Sequence, residues 1–371
     1  MKYIGFSVFF VVILAVISAV VYYLSNRFSL FFPSVSCRTW LWSLGCTTGI
    51  LLIGSLSTFL MHSNIGKIFF VLLAFWITIL LYLFMISVLL DLVNIACKLP
   101  PNVRGIITLA LTVLFIVYGT VNASVIRVKE ISIPIAGLTK EIKAVHISDV
   151  HLGNFWGEKR LEKIVDKITK LNPDVVFNTG DMFDSKTILY TNPNVLNPLK
   201  KLAVPHYFVY GNHDEQAGIE EVVARMQNAG AIVLQNETAQ FGELQIIGLN
   251  NMIQDEKGFD VHANQSVETI KSVMEKLPAD ENRPTIVLHH RPAGMEYLNA
   301  KKTDLLLAGH THAGQLFPFI LITKAMYHYN KGLYHYNDMN IYVTAGVGTA
   351  FMPIRIGANS EITVVKLMPK K

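Results

Sequence analysis

Long apolar runs dominate the first third of the chain. Four of them, at 3–24, 41–61, 68–93 and 106–125, have about the length that crosses ~30 Å of hydrocarbon as an α-helix. The first run is longer than the ~7–15 apolar residues of a signal peptide and has no clear cleavage site, which favours a spanning helix. We therefore predict a transmembrane region of about four helices over residues 1–125.

From residue 126 onward the pattern changes to short apolar runs separated by polar segments. The runs of strand length lie at 142–148, 174–178, 206–210, 284–289 and 304–308. Between several of them, as at 157–171 and 217–228, apolar residues recur at spacings of three and four, which indicates amphipathic helices. Alternating strands and helices predict an α/β domain over 126–371. Its tail after residue 315 loses the alternation and is expected to form strands and loops, including strands at 341–346 and 361–367.

The composition agrees with one membrane part and one soluble part. Hydrophobic residues make up 51% of the chain and charged residues 16%, below the ~25% of charged residues in typical soluble proteins. The net charge of +5 is scattered and forms no basic block with interleaved aromatic residues, so we expect no nucleic-acid partner. Cys37, Cys46 and Cys97 all lie in the first part and lack the spacing of zinc or redox motifs.

Charged residues near the ends of the apolar runs bear on membrane topology, because four crossings place both termini on one side. The basic residues counted on the side of the termini are Lys2, Lys67, Arg127, Lys129, Lys140 and Lys143, against Arg27, Arg38, Lys98 and Arg104 on the opposite side. This excess slightly favours a cytoplasmic soluble domain. Asp91, near the end of the third run, is expected to be solvated at the interface rather than to serve a function inside the membrane.

Five of the predicted strands, or the loops that follow them, end in Asp, Asn or His. The five segments are Asp149-Val150-His151, Gly180-Asp181-Met182-Phe183-Asp184, Gly211-Asn212-His213-Asp214, His289-His290-Arg291-Pro292 and Gly309-His310-Thr311-His312. Each segment alone is more typical of a turn with a solvated side chain. Together they predict a metal centre, since α/β folds bind ligands at strand ends and this mixture of nitrogen and oxygen ligands suits zinc, manganese or iron.

The ordered set DxH, GDxxD, GNHD, HxP and GHxH resembles the calcineurin-like metallophosphoesterases over about residues 126–367. In the tail, GHTHAGQ is followed by GLY and then by GVGTAFMPIRIGANSEITVVKL, which resembles the bacterial YkuE and YaeI branch of that superfamily. The resemblance implies an α/β/β/α sandwich that holds two metal ions. It does not cover the membrane region, which differs from the single N-terminal segment often seen in that branch.

The resemblance also assigns the ligands by motif. It implies a first metal held by Asp149, His151, Asp181 and His312, and a second held by Asp181, Asn212, His290 and His310. Asp181 would therefore be shared by the two metals. His290 fits the HxP position better than His289, for which we expect a packing or supporting role.

Further residues are candidates for catalysis and for substrate binding. The resemblance implies that His213 gives a proton to the leaving oxygen and that Asp184 orients His213, with a solvated turn carboxylate as the alternative for Asp184. Protein phosphatases of this superfamily continue GDxxD with Arg-Gly, whereas Ser185 and Lys186 follow here, which argues against a phosphoprotein phosphatase. Arg291 and Arg355 could contact a substrate phosphate, and surface salt bridges are the slightly preferred alternative for both.

These features predict a membrane-anchored enzyme with two metal ions that hydrolyses a phosphate ester or a pyrophosphate bond by attack of a metal-activated hydroxide. Because an anchor suits a membrane-borne substrate, we expect a lipid phosphate or a nucleotide-linked lipid. The segments 190–199 and 317–336 could form an apolar rim for acyl chains, although ordinary packing explains them equally well. We expect a multi-pass protein of the bacterial inner membrane, with the catalytic domain in the cytoplasm.

Two other functional classes remain open. A catalytically silent sensor would bind metal and a phosphate ligand, and it would be expected to lack a ligand or the proton donor. A transporter with an accessory domain would be expected to have polar or broken helices at the bilayer midplane. The four runs are mostly plain, with no charge in their middles.

Overall fold

The structure is a computed structural model that describes residues 2–61, 64–257 and 268–370. Met1, residues 62–63, residues 258–267 and Lys371, which the two predicted domains include, lie outside the described residues. The chain divides into two compact units, Met1–Thr120 and Val121–Lys371.

The first unit is helical, as its apolar pattern predicts. Its helices are α1 (Lys2–Phe31), α2 (Cys37–Met61), α3 (Asn64–Cys97) and α4 (Pro101–Ser124), the last turn of α4 falling in the second unit. In the part of the chain that the structure describes, these four helices are long and apolar enough to cross a membrane. The helices extend beyond the predicted apolar runs. In α1, for example, Ser25 and Asn26 donate to backbone carbonyls one turn earlier and the helix continues.

Asp91, for which we expected solvation at the membrane interface, is partly exposed and paired with side chains of two other helices. Its carboxylate lies 2.8 Å from Arg27 Nε on α1 and 2.9 Å from Arg104 Nη1 on α4. The Tyr23 hydroxyl also donates to it, at 2.7 Å. Two opposite charges and a hydrogen bond offset the cost of placing this carboxylate in an apolar bundle, and they link three helices.

The second unit contains two six-stranded sheets. In chain order the strands are β1 (Ile126–Ile135), β2 (Ile142–Ile147), β3 (Val175–Asn178), β4 (His206–Phe208), β5 (Ile232–Val233), β6 (Glu237–Phe241), β7 (Leu244–Gly248), β8 (Thr285–Leu288), β9 (Leu305–Ala308), β10 (Gly332–Tyr336), β11 (Met339–Val343) and β12 (Ser360–Pro369). The first sheet has the order β1-β12-β2-β3-β4-β5, and the second has the order β10-β11-β9-β8-β7-β6. The strands that precede the candidate ligands are parallel neighbours within each sheet, β2-β3-β4 in the first and β8-β9 in the second.

Helices cover the outer faces of both sheets. The helices of this unit are α5 (Glu158–Leu171), α6 (Asn212–Asn228), α7 (Ile270–Lys276), α8 (Met295–Ala300) and α9 (Phe319–Met326), with 3-10 turns at Ser185–Leu189, Pro193–Lys201 and His312–Gly314. Strand side chains alternate between layers, so that Phe177 of β3 packs between the sheets and its neighbour Val176 packs with α5 residues such as Ile164. A third cluster packs α7 and α8 on the second sheet. The predicted α/β/β/α sandwich is confirmed.

The tail after residue 315 departs from its prediction. Strands β11 and β12 are present, but a helix, α9, lies where only strands and loops were expected. The sequence FILIT is rich in aromatic and β-branched residues, which favour strands by local preference. The strands β1, β5, β6, β7 and β10 were not predicted.

Candidate metal centre

Loops that follow five neighbouring strands meet at one edge of the sandwich and are joined through their backbones. The Asp149 amide donates to the Gly180 carbonyl at 2.9 Å, and the His151 amide donates to the Asp181 carbonyl at 3.0 Å. In the second sheet the Gly309 amide donates to the His290 carbonyl at 2.9 Å. These bonds fix the loops against one another and bring their side chains together.

The expected ligands of the first metal form one group. Nε2 of His151 lies 3.0 Å from Nε2 of His312 and 3.7 Å from a carboxylate oxygen of Asp181. Nε2 of His312 lies 3.4 Å from Oδ1 of Asp149. The ligand atoms of Asp149, His151 and His312 are all within 4.8 Å of one another, which is close enough to hold one ion.

The expected ligands of the second metal lie beside this group and share Asp181 with it. Oδ2 of Asp181 lies 3.2 Å from Nε2 of His290, which is 3.3 Å from Nδ1 of His310. Asp149, Asp181 and His290 form a further group with ligand atoms within 4.8 Å. Asn212 is buried, and among the described residues its side-chain oxygen has no hydrogen-bond partner. A buried amide oxygen left in this way fits a metal ligand.

His290 shows how the surrounding protein prepares a ligand. Its Nδ1 lies 2.7 Å from the carbonyl oxygen of Thr179. A carbonyl can only accept, so Nδ1 carries a hydrogen, and Nε2 is the nitrogen that faces Asp181 and that could bind a metal once its own proton is lost. The neighbouring His289 is also buried, and its Nδ1 lies 2.6 Å from the Arg291 carbonyl, outside these groups.

Five of the seven predicted ligands have left-handed backbone conformations, which are uncommon for residues other than glycine. Their φ angles are 55° at Asp149, 51° at His151, 54° at Asp181, 73° at His310 and 49° at His312. Such strain concentrates at functional sites, where the surrounding structure holds it in place. Five of the residues that the motifs indicate therefore also have an uncommon backbone conformation.

The electrostatics of the centre favour bound cations. Burial raises the pKa of Asp149, whereas imidazoles, His290 foremost, hold the pKa of Asp181 well below its usual range against the opposing effect of burial. Burial lowers the pKa of His290, but the Asp181 and Asp149 carboxylates outweigh this and raise it to about 9. In the metal-free chain, protons on imidazoles thus balance the buried carboxylates. Metal ions would compete with those protons for the same atoms.

The candidate proton donor His213 is held by a hydroxyl that the sequence did not indicate. Its Nδ1 lies 2.7 Å from Oγ of Ser185, which in turn donates to Gln216 Oε1 at 2.9 Å. Because the hydroxyl gives its one hydrogen to Gln216, its oxygen accepts from His213 Nδ1–H. Asp184, the expected partner, is further away, at 3.6 Å from His213 Nδ1 and 3.8 Å from His151 Nδ1. Burial lowers the pKa of His213, although Asp181 opposes that effect.

Both candidate arginines are buried, so a surface salt bridge was the wrong alternative for each. Arg355 is fully buried, and its Nη2 donates to the carbonyls of Ala345 and Gly348, both at 2.7 Å. It also reaches the His312 carbonyl, at 3.3 Å, and therefore packs behind a candidate ligand. Arg291 is 4% exposed, and burial lowers its pKa to about 10 while the nearby Asp181 and Tyr327 act in the opposite sense.

Comparisons with known proteins address the same part of the chain. The sequence profile of the calcineurin-like phosphoesterase family matches residues 142–314, a range that contains all seven predicted ligands. A metallophosphoesterase of Campylobacter jejuni is 30% identical over 280 residues, covering 72% of this chain and 71% of that protein. The chain belongs to the calcineurin-like metallophosphoesterases.

Two further relatives match this chain over less than two thirds of their own length. A metallophosphoesterase of Helicobacter pylori is 32% identical over 248 residues, covering 66% of this chain and 64% of that protein. A transmembrane protein with metallophosphoesterase domain, from Danio rerio, is 30% identical over 285 residues, covering 71% of this chain and 62% of that protein. The chain thus spans a little less than two thirds of the length of these two proteins.

Two glycines let the loops of the metallophosphoesterase domain approach closely. A Cβ atom at Gly211 would collide with a carboxylate oxygen of Asp181, and one at Gly309 would collide with a carboxylate oxygen of Asp149. Any side chain at either position would displace a predicted ligand. The glycines of GNHD and GHTH therefore provide space for the carboxylates.

Sequence reasoning also gave no role to Asp214 of the GNHD segment. Its buried carboxylate accepts from the backbone amides of Met182, Phe183 and Gly211, at 3.1, 2.9 and 3.1 Å. It therefore ties the loop after β3 to the loop after β4. A carboxylate following the histidine of GNHD was the available signal, but its partners became visible only in the fold.

Proposed function

We propose that this protein is a membrane-anchored, dinuclear metal-dependent phosphoesterase that hydrolyses a phosphate ester or a pyrophosphate bond. The observation that carries the proposal is that Asp181 lies beside the expected ligands of both metals, with Oδ2 3.7 Å from Nε2 of His151 and 3.2 Å from Nε2 of His290. The predicted ligands Asp149, His151, Asp181 and His312 lie in the first group, and Asp181, Asn212, His290 and His310 belong to the second. Family membership supports the reaction class, and complete ligand and donor positions support catalysis over a silent sensor.

The metal ions and the protein residues would have different roles in the hydrolysis. Two bound ions of manganese, zinc or iron would withdraw charge from the phosphoryl oxygens and lower the pKa of a water molecule, which favours in-line attack. Asp181 would hold both ions, and its carboxylate would be kept in place by the His213 amide, which donates to Oδ1 at 2.8 Å. Asn212 would add a neutral ligand and so preserve the positive charge of the centre.

His213 would supply the proton that the leaving oxygen needs. Its Nδ1–H is engaged by Ser185, so Nε2 is the nitrogen from which a proton can be given. Asp184, within 4 Å of both His213 and His151, would contribute negative charge that supports the protonated form rather than a direct hydrogen bond. Arg291 is our candidate for a phosphate contact, because it lies close enough to Asp181 for electrostatic interaction. We now assign Arg355 to holding the loop behind His312.

The membrane segment bears on the substrate. Four helices that are apolar enough to cross a bilayer indicate membrane association, and a zebrafish relative is itself described as a transmembrane protein. A substrate in the membrane, such as a lipid phosphate or a nucleotide-linked lipid, would explain why the domain is anchored. We place the protein in a bacterial inner membrane with its catalytic domain in the cytoplasm, on the basis of its basic residues.

The test uses the full chain purified in detergent. Metal analysis should find about two ions per chain, and hydrolysis should disappear with a chelator and return with manganese, zinc or iron. Parallel assays of lipid phosphates, phosphodiesters and nucleotide-linked lipids would then identify the bond that is broken. A protein that binds two ions yet hydrolyses none of these compounds, nor a chromogenic ester, would refute the proposed activity.

A further inference from the structure

Helix α9 (Phe319–Met326) exposes most of its apolar side chains. Every residue of the helix is at least partly exposed, although the sequence FILITKAM contains only one charged residue. Leu321 is 57% exposed, Ile322 49% and Met326 65%. A helix with this sequence is expected to bury a face against its own domain, so its exposed face requires an occupant.

The exposed apolar residues of α9 are ordered rather than scattered. Phe319, Ile322 and Met326 are separated by three and four positions, so they lie along one side of the helix. Leu321 is exposed on another side of the helix, about 100° round the axis from Ile322, and Phe317 is exposed just before the helix begins. We call these exposed apolar side chains the α9 ridge.

The charge and aromatic content of the surrounding segment indicate what the ridge contacts. Residues 317–336 include Lys324, Lys331, His328 and His335, and they contain no Asp or Glu. Lys331 is engaged with Glu361, while Lys324 is exposed on the helix itself. The same segment carries the tyrosines Tyr327, Tyr329, Tyr334 and Tyr336. Apolar, basic and tyrosine side chains together are typical of a helix that lies in a membrane interface.

The ridge adjoins the candidate metal centre. Its helix is followed at once by Tyr327, whose hydroxyl lies 3.1 Å from Nε2 of the predicted ligand His310. Before the helix, the side chain of Gln315 donates to the carbonyls of Ala350 and Met352, at 3.0 and 2.8 Å. Between those two residues is Phe351, which is 60% exposed with its ring 5.7 Å from that of His213. An exposed aromatic ring therefore also lies beside the candidate proton donor.

We propose that residues 317–336 form an interfacial element, with the α9 ridge inserted among the lipids of a bilayer and Lys324 at anionic headgroups. The chain's four apolar helices make a bilayer available to it, and the absence of acidic residues in the segment suits an anionic lipid surface better than a basic protein partner. The inference rests on the membrane anchoring in the proposed function. It deepens that function, since it places the metal centre at headgroup depth, where the phosphate of a lipid can reach it.

The test is a direct measurement of lipid contact in the full chain. Ile322→Cys and, as a matched control, the exposed Ile232→Cys are introduced after replacing the three native cysteines, and each is labelled with an environment-sensitive fluorophore. The proteins are placed in nanodiscs that contain lipids with a nitroxide in the upper part of the acyl chain. We expect the label at 322 to emit further to the blue and to be quenched, more strongly with anionic lipid. The label at 232 should show neither effect.

Quenching at 322 no stronger than at 232 would overturn the inference. If the label at 322 is not quenched and its emission is unshifted, the ridge faces water. If it is not quenched and its emission is shifted to the blue, the ridge lies against a protein surface. Metal content, measured on each labelled protein, verifies that the domain is folded. The readout does not depend on catalysis, so contact with lipid in a protein that hydrolyses no lipid phosphate would contradict the substrate proposal and leave the inference standing.

Discussion

Replacement of His213 by alanine separates proton donation from metal binding. The His213 amide, which donates to Asp181 at 2.8 Å, is a backbone group and persists in the variant. Both metal ions should therefore remain. The imidazole is lost, and a positioned general acid typically contributes about 10² to 10⁴ in rate, equivalent to roughly 3–5 kcal/mol of barrier.

The size of the loss should depend on the leaving group. An ester with a poor alkoxide leaving group needs the proton and should lose about that full factor of 10² to 10⁴. A nitrophenolate leaves readily without protonation, so its hydrolysis should fall much less. The assay compares both substrates with wild-type and His213→Ala protein, and metal content is measured on the same preparations.

Two results would refute this reasoning. Equal rate losses for the two substrates, with both ions retained, would exclude proton donation by His213. Loss of an ion would instead make His213 a ligand, an outcome with some structural basis because His151, Asp184 and His213 also have ligand atoms within 4.8 Å of one another.

Four further predictions concern Ser185, Asp181, Arg355 and the membrane topology. Ser185→Ala removes the hydroxyl that lies 2.7 Å from His213 Nδ1. The loss of one hydrogen bond should lower the hydrolysis rate by about 2- to 10-fold, and only for the ester with the poor leaving group. Ser185→Thr should restore that rate. Asp181→Asn should release both ions more readily than any other single ligand change, and metal analysis showing two tightly bound ions would exclude its shared role. Arg355→Met should lower the thermal unfolding temperature, because the buried carbonyls of Ala345 and Gly348 lose their donor at a cost of roughly 1–3 kcal/mol each. An unchanged unfolding temperature with a raised KM would instead support a contact between Arg355 and the substrate phosphate. A reporter that works only in the cytoplasm should be active when it is fused to the C-terminus. Activity of an export-dependent reporter at the same place would mean that the catalytic domain lies on the opposite side of the membrane.

The clustering of the candidate ligands could be predicted from the sequence because each lies shortly after a strand, and a strand of buried apolar residues is visible in the local pattern. Asp149 follows β2 of the first sheet and His310 follows β9 of the second, 161 positions later, yet the His310 amide donates to Asp149 at 3.1 Å. That proximity follows from parallel strands that end at the same edge. The resemblance to the calcineurin-like metallophosphoesterases is what placed both residues in one predicted site.

Other features depend on contacts that local patterns do not encode. Helix α9 has a strand-like composition, and what favours the helix is not evident from Phe319 to Met326 themselves. The contact between Ser185 and His213 depends on how the loops after β3 and β4 meet. Arg355 is charged and so was expected at the surface, whereas carbonyls from a loop seven to ten residues earlier give it a buried site.

The left-handed backbone conformation at five candidate ligands also affects which substitutions this domain can accept in evolution. Each such backbone costs on the order of 1 kcal/mol or more, and glycine would relieve it whereas alanine would not. Asparagine tolerates the conformation, so Asp149→Asn and Asp181→Asn should disturb the backbone less than alanine would. A descendant released from the need to bind metal would gain stability by acquiring glycine or asparagine at these five positions. Retention of Asp and His there, against that gain, would itself be a record of selection for the metal centre.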